Sequence, residues 1–356
     1  MFNLFKKQNS SYYFAVDIGS QYTKFIDLVQ LKDETYQIRE VAIQPTPEGS
    51  FQAGKILSLD KLSKFLVRSV VELGFGKKTN VVAGIAAKGM ITKKINIPKM
   101  EESLIPEHLP FEAEQYIPYD IAEMDLDYEI LRGENSDPET IPILFVAILK
   151  KTVAEYVSVF SEAQLECNIL DGNMFALANA FEYSYGHHPD KSFMICEVGA
   201  SSTSLVGVCR GQVVFARSIP VGAAFYTQQI QDSLGVSFKE AEDLKRAASS
   251  DTDPKAQEVL TIIEKLHPGF CEELQASYEF YTNFFPDDRV SEMFLTGGGS
   301  LTKGLSAALE KTFSIPFTTL NPFQKVPLAP HLKSQEEQLR PYIAVGFGLS
   351  LRIVNP

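Results

Sequence analysis

Two short stretches carry the residue types and spacings that chemistry needs. The first is Val16-Asp17-Ile18-Gly19-Ser20-Gln21-Tyr22-Thr23-Lys24, preceded by an apolar run and followed by a second β-type run, Phe25 to Val29. A strand on both sides of the glycine makes this a hairpin, unlike a P-loop or dinucleotide fold, where a helix follows the glycines and meets the phosphate. The turn would line a phosphate-sized hole with backbone N–H groups, with the acid Asp17 at its entrance and Lys24 beyond. The second stretch is Glu197-Val198-Gly199-Ala200-Ser201-Ser202-Thr203-Ser204, between the apolar runs Phe193 to Cys196 and Leu205 to Val208. Laid over the first without a gap, Glu197 falls on Asp17, Gly199 on Gly19, Thr203 on Thr23 and Ser204 on Lys24. An internal repeat is more specific than either half, and predicts two related domains facing each other across a cleft.

A third motif, Leu295-Thr296-Gly297-Gly298-Gly299-Ser300-Leu301, runs from an apolar strand into a helix expected over about 302–313. Without side chains, Gly297 to Gly299 would let the backbone approach a flat ligand closely. Upstream, Glu242 and Lys245 stand at i,i+3 on one helix face, where an ordinary surface ion pair is the alternative.

The elements that must position these residues alternate in kind. Strands are expected over 36–43 and 80–86, with a Pro-rich loop over 45–54 between them. A helix over 59–73 closes at Gly74, a good C-cap position. From Met90 a strand, a Pro-interrupted helix to Tyr116, two strands (123–131 and 141–149) around a polar turn at 133–139, and a helix over 152–163 form an α+β insert. Between Glu101 and Glu139 thirteen Asp or Glu face one basic residue, Arg132. The segment 168–183 reads as a helix whose small residues (Ala176, Ala178, Asn179, Ala180) permit close packing. Two separate helices are expected over 256–266 and 272–284, and a small, apolar closing segment over 341–353.

With 356 residues and 45% hydrophobic content, the chain can bury a sizeable core in two domains. A net charge of −12 argues against general nucleic-acid binding. No stretch approaches the ~20 apolar residues of a membrane span, and Met1 to Lys7 lacks a signal-peptide core. The four cysteines show no CxxC spacing, and a reducing cytoplasm fits them.

Two matched acid-x-Gly hairpins followed by Gly-Gly-Gly before a helix resemble the actin-like ATPase superfamily across essentially the whole chain. The insert lies where FtsA and PilM carry their 1C subdomain. The phrases Asp17 to Ser20, Leu170 to Ala180, Gly199 to Leu205 and Phe238 to Lys245 are similar to the PilM family of type IV pilus assembly proteins. The resemblance implies an α/β, actin-like (ribonuclease H-like) pair of duplicated domains around a nucleotide cleft. Subdomain 1A would take 1–87 and 166–190, the insert 88–165, subdomain 2A 191–237 and 289–340, a helical 2B 238–288, and a closing helix 341–356.

It further implies ATP and Mg²⁺. Asp17, Gly19, Ser20, Gln21 and Lys24 would hold phosphates with Gly199, Ala200, Ser201 and Thr203. Gly297, Gly298, Gly299 and Ser300 would hold adenosine, Glu242 and Lys245 would reach the ribose or adenine, and Asp17 and Glu197 would hold Mg²⁺ through waters. Position 197 is Glu where the family usually has Asp. The added methylene moves the carboxylate by about 1 Å, and shifts of that size can cost ~100-fold in rate. ATP binding is therefore expected to survive better than hydrolysis, with Asp171 a candidate for positioning the attacking water. The implied partners are the cytoplasmic N-terminal tail of a PilN-like membrane protein, bound between the core and the insert, the pilus motor ATPases, and a second copy of the chain. If the acidic insert borders that groove, it would steer a basic residue of the tail. The alternatives are an FtsA-like filament-forming ATPase and a small-molecule kinase of the same fold. FtsA continues into an amphipathic membrane helix where this sequence reads Asn355-Pro356, so contact with the inner membrane is expected through a partner, from the cytoplasm.

Overall fold

The computed structural model describes residues 13–32, 35–75, 80–86, 90–132, 137–248 and 253–353. Met1 to Lys7, Asn355-Pro356 and most of the polar turn expected from Gly133 lie outside these residues. The first domain opens with β1 (Tyr13–Ile18), β2 (Tyr22–Gln30), β3 (Tyr36–Pro45), the small hairpin β4 (Phe51–Gln52) and β5 (Lys55–Ile56), α1 (Leu59–Glu72) and β6 (Asn80–Ile85). The insert supplies β7 (Ile91–Pro98), α2 (Ile105–Glu114), β8 (Met124–Ile130) and β9 (Thr140–Leu149). The chain returns through α3 (Lys150–Glu162), β10 (Glu166–Gly172) and α4 (Asn173–Tyr185). The second domain holds β11 (Ser192–Val198), β12 (Thr203–Cys209), β13 (Gln212–Ile219), α5 (Ala224–Leu234), α6 (Phe238–Ala247), α7 (Pro254–Phe284), β14 (Val290–Thr296), α8 (Leu305–Phe313) and β15 (Phe317–Thr319). Two helices follow, α9 (Glu336–Leu339) and α10 (Ala344–Ser350), and α10 packs back on α4 and β1 of the first domain.

The duplication is visible in the sheets. Read from one edge, the first is β3-β2-β1-β6-β10 and the second β13-β12-β11-β14-β15. In each, an antiparallel three-strand meander is extended by parallel strands. Their registers agree at the repeated motif: Asp17 pairs with Lys24 and Glu197 with Ser204, at the positions the gapless overlay matched.

Between the two sheets lie α4 and α10, in one apolar cluster with residues of both, such as Ile26, Val82, Ile195 and Phe294. All seven residues of α10 are buried. The small residues expected to permit close packing do so: a side chain at Gly348 would collide with the Ala176 carbonyl of α4. A separate core forms outside the first sheet, where Leu62, Phe65 and Leu66 of α1 meet Tyr156, Val159 and Phe160 of α3. Thus α3, assigned by sequence to the insert, packs with the first domain, because its apolar face matches that of α1. The insert keeps a core of its own, Ile95, Ile97, Leu109, Ala113, Phe145 and Ala147, between α2 and the sheet β7-β9-β8.

One expected break is absent. The two helices anticipated around Pro268-Gly269 are the single 31-residue α7. An interior proline loses one helix hydrogen bond and clashes with the preceding turn. Here burial on both sides outweighs that cost: Val259, Ile263, Phe270, Cys271 and Leu274 share one buried face. Next to the proline, buried His267 donates from Nε2 to the Lys303 carbonyl at 3.0 Å, and its Nδ1 accepts from Tyr226 at 2.9 Å, fastening α7 to α5 and to the turn before α8.

Candidate functional site: a cleft between the repeated hairpins

Each hairpin turns tightly. Gly19 N–H donates to the Tyr22 carbonyl at 3.1 Å and Gly199 N–H to that of Ser202 at 2.9 Å. A Cβ at Gly19 would lie 2.7 Å from that carbonyl oxygen, and one at Gly199 2.9 Å from its counterpart. Glycine is therefore required by the turn itself. The two tips meet across the cleft, with Ser20 Oγ 2.7 Å from Ser201 Oγ, and Ser20 Oγ also accepts from Ala53 N–H.

Behind the tips, Lys24 Nζ sits 2.9 Å from Asp17 Oδ2. Glu197 faces the same space. Burial pushes its carboxyl up, Lys24 pulls it down and Asp17 pushes it up again, leaving it at about 7. Ser204 Oγ donates to Glu197 at 3.4 Å, where the other hairpin has a lysine. The floor is thus asymmetric: one carboxylate is held by an ammonium, the other by a hydroxyl.

Helix α6 forms the side wall. Its start follows the capping-box pattern, Ser237 accepting from Glu240 N–H at 3.2 Å. Lys245 Nζ lies 2.7 Å from Glu242 Oε2, and both meet the Thr227 hydroxyl. Burial alone would raise Glu242, but Lys245 and these hydrogen bonds bring it down to about 2. The sequence left open a surface pair; the structure makes it a largely buried pair facing the cleft. Arg246, missed by the sequence reading, bonds Glu242 Oε1 at 3.1 Å and the Tyr22 hydroxyl at 2.7 Å. Its guanidinium stands 5.3 Å from the Tyr22 ring centre, and Tyr22 meets Tyr342 edge-on at 6.0 Å.

The three glycines after β14 complete the rim. Gly297 has φ +87°, which an L side chain rarely adopts, and its Cβ would overlap the Val198 carbonyl. At Gly298 a Cβ would lie 2.6 Å from the Tyr342 ring. These glycines therefore let β14 and Tyr342 close on the neighbouring hairpin, in addition to leaving the backbone bare. The cavity holds about 360 Å³, within the ~300–1,000 Å³ of small-molecule sites.

Fourteen of the sequence-selected positions line this cavity: Asp17, Gly19, Ser20, Gln21, Lys24, Glu197, Gly199, Ala200, Ser201, Glu242, Lys245, Gly297, Gly298 and Gly299. Three do not. Thr203 is fully buried and donates to the Val221 carbonyl at 2.7 Å; its repeat partner Thr23 is likewise buried against Thr46. Ser300 turns back to the Gly297 carbonyl at 2.6 Å, and Leu301 and Thr302 line the cavity instead. Asp171, the candidate for positioning water, lies elsewhere: it is buried beside Arg352, whose Nε is 3.0 Å from its Oδ2. Asn173, two residues on and the first residue of α4, reaches the cleft instead.

A family model described as type IV pilus assembly protein PilM matches residues 15–354. The chain belongs to that family. Among solved structures, a chain of a PilM-PilN type IV pilus biogenesis complex is 26% identical, with a TM-score of 0.86 over 98% of this chain and 100% of that one. The ethanolamine utilization protein EutJ of Carboxydothermus hydrogenoformans is 13% identical, with a TM-score of 0.58 over 98% of this chain and 92% of its own. MreB5 of Spiroplasma citri bound to ADP is 11% identical, with a TM-score of 0.53 over 97% of each chain. These more distant likenesses establish the actin-like fold, as expected from the repeated hairpins.

Two grooves flank the family-type insert. The larger, about 620 Å³, runs between β7, β13 and the end of α7; its charged lining is Lys93, Lys94 and Arg217. The smaller, about 190 Å³, lies between the insert and α4 and carries Glu129, Asp171 and Glu182 against Arg352. The expected acidic border therefore belongs to the smaller groove only, since Asp125, Asp127 and Glu129 lie on β8, at the opposite edge of the insert sheet from β7. Among the described residues, no helix is long and apolar enough to cross a membrane.

Proposed function

We propose that this PilM-family protein is an ATP-binding assembly platform, which recruits the cytoplasmic tail of a PilN-like membrane protein and links it to the pilus motor. The observation that carries the nucleotide reading is the convergence of both hairpins, the Gly-rich turn and the α6 ion pair on one cavity. Phosphates would sit between the hairpin tips, displacing the Ser20–Ser201 contact, with Lys24 as a counter-charge. The adenosine would lie between the bare Gly298 backbone and α6. Mg²⁺ commonly takes one or two carboxylates with waters and phosphate oxygens, a set that Asp17 and Glu197 can complete from the floor.

Support for the PilN-like partner comes from the full-length likeness to a chain of the PilM-PilN complex and from the acid-lined groove beside the insert. The protein would act at the inner membrane from the cytoplasm through that partner. Self-association and contact with motor ATPases belong to the same reading. Turnover is weak in it, because the lengthened, easily protonated Glu197 stands where a fixed carboxylate would orient water. Titration calorimetry with ATP and Mg²⁺, phosphate release, and pulldown with synthetic N-terminal tails test it. Absence of both nucleotide and tail binding would overturn it.

A further inference from the structure

Two exposed apolar patches of opposite charge stand on the insert and at its border with the second domain. The first is the outer face of α2. That helix buries Ile105, Leu109 and Ala113 against the insert sheet. Glu107, Phe111 and Glu114, at i, i+4 and i+7, are thereby turned outward along one stripe. Phe111 is 76% exposed, and Leu104 before the helix and Tyr119 after it are exposed too. No Lys or Arg occurs in α2. The second patch is the larger groove, about 620 Å³, between β7, β13 and the end of α7. Phe280 and Phe284, with ring centres 4.5 Å apart, are exposed on its wall, and no acid lines it. Lys94 lies 5.2 Å from the ring centre of Phe285 and Arg217 5.4 Å from that of Phe280, so cations rim an aromatic floor.

Single exposed apolar side chains are ordinary on a protein surface, whereas clustered ones mark interaction sites. Each patch here supplies what the other lacks. One offers a ring flanked by carboxylates, and the other an aromatic groove rimmed by cations. We propose that α2 of one copy of this protein seats in the groove of a second copy. Phe111 packs against Phe280 and Phe284, while Glu107 and Glu114 face Lys93, Lys94 and Arg217. Knob and groove adjoin on each molecule, because Lys93 Nζ of the groove lies 4.0 Å from the ring centre of Tyr116, just past α2. Adjoining patches let two copies exchange knobs across one two-fold axis. The exchange uses a ten-residue helix twice, bringing the contact nearer the ~1,200–2,000 Å² that stable complexes bury. The inference gives the self-association of the reading above a surface and a stoichiometry, and rests on that part of it alone.

The test is sedimentation velocity of the full chain over a wide concentration range, with and without ATP and Mg²⁺. The wild type is expected to pass from monomer to dimer and no further, with weaker dimers at higher salt. Phe111→Ser and Phe284→Ser alter exposed side chains, and each is expected to weaken the dimer at least tenfold, with circular dichroism unchanged. Glu107→Lys/Glu114→Lys should weaken it likewise, and so should Lys94→Glu/Arg217→Glu. Both reversals in one chain should restore dimers, a rescue that a merely misfolded variant would not show. A chain that stays monomeric throughout overturns the inference together with self-association, and leaves nucleotide and tail binding standing. Assemblies that persist in both serine variants overturn this surface alone and leave self-association standing. Wild-type assemblies that grow beyond two copies overturn the two-fold exchange.

Discussion

Replacing Glu197 by Gln should stabilise the ligand-free protein, and by more at higher pH. The fold raises this carboxyl from 4.5 to about 7 because it is buried next to Asp17, with Lys24 only partly compensating. A folded-state value above the unfolded one means that the fold favours the neutral acid. That contribution is complete below pH 4.5 and is lost as the pH rises through about 7. Carrying the charge then costs about 1 kcal/mol at pH 5.5 and about 3 kcal/mol at pH 8. Water in the open cleft screens part of this, so about 1 kcal/mol of the difference should survive. Glutamine keeps the shape without the charge. Urea denaturation of both proteins without nucleotide should show Glu197→Gln gaining about 1 kcal/mol on the wild type between pH 5.5 and 8. The same variant should bind ATP with a weaker dependence on Mg²⁺, since one water-holding carboxylate is gone. A gap between the two proteins that stays constant across that pH range would refute the electrostatic account of the floor.

Gly298→Ala sets a methyl against Tyr342 and should weaken ATP binding at least tenfold, measured by calorimetry, with part of the loss restored by Gly298→Ala/Tyr342→Ala. Lys245→Met removes the closest cation from Glu242, and should cost about 2 kcal/mol at pH 7, reduced from the usual 3–5 kcal/mol because Arg246 remains. Glu242 lies low at about 2, so its contribution is present above pH 4.5 and lost as the pH falls toward 2. The gap between Lys245→Met and wild type should therefore close over that acid range in denaturation curves. Pro268→Ala, within a continuous α7, should raise thermal stability by about 1–2 kcal/mol, the helix gain being offset in part by a more flexible unfolded chain.

The duplicated framework was legible because both hairpins repeat in type and spacing, and the register that pairs Asp17 with Lys24 pairs Glu197 with Ser204. The α6 pair was legible through its i,i+3 spacing, and Arg246 could have been found by extending the same face to i+4 from Glu242. Tyr342 carried no local signal: it reaches the cleft only because α10 packs between the sheets, a contact between distant parts of the chain. Thr203 does not line the cleft because, as the first residue of β12, it turns inward, where the Val221 carbonyl after β13 accepts from its hydroxyl, a contact local spacing does not reveal. Asp171 drew attention as an acid at a strand end, yet its carboxylate is committed to Arg352, 181 residues later in the chain. Pro268 misled because local propensity favours a break, whereas burial on both sides of it decides the outcome.

The cleft and the smaller groove share two continuous pieces of the chain. On one, Asn173 faces the cleft with its Oδ1 buried and unpartnered, and Asp171, two residues earlier, lines the pocket. On the other, Ala344 and Val345 face the cleft, and Arg352, past the end of α10, lines the pocket. The ion pair joins the two pieces at the pocket end, and α4 and α10 pack too closely at Ala176 and Gly348 to slide freely. A peptide that draws Arg352 away from Asp171 therefore loads the same pieces that a nucleotide touches. Binding linkage requires the effect to be mutual: a tail that changes ATP affinity by some factor must have its own affinity changed by ATP by that factor. Couplings of this type are about 1–3 kcal/mol, or roughly 5–150-fold. Calorimetric titration of ATP into protein saturated with tail, and of tail into protein saturated with ATP, should return equal factors of at least about 5. An ATP affinity that stays within about twofold at tail saturation would show that the two cavities are independent, and that the shared pieces serve only to pack the domains.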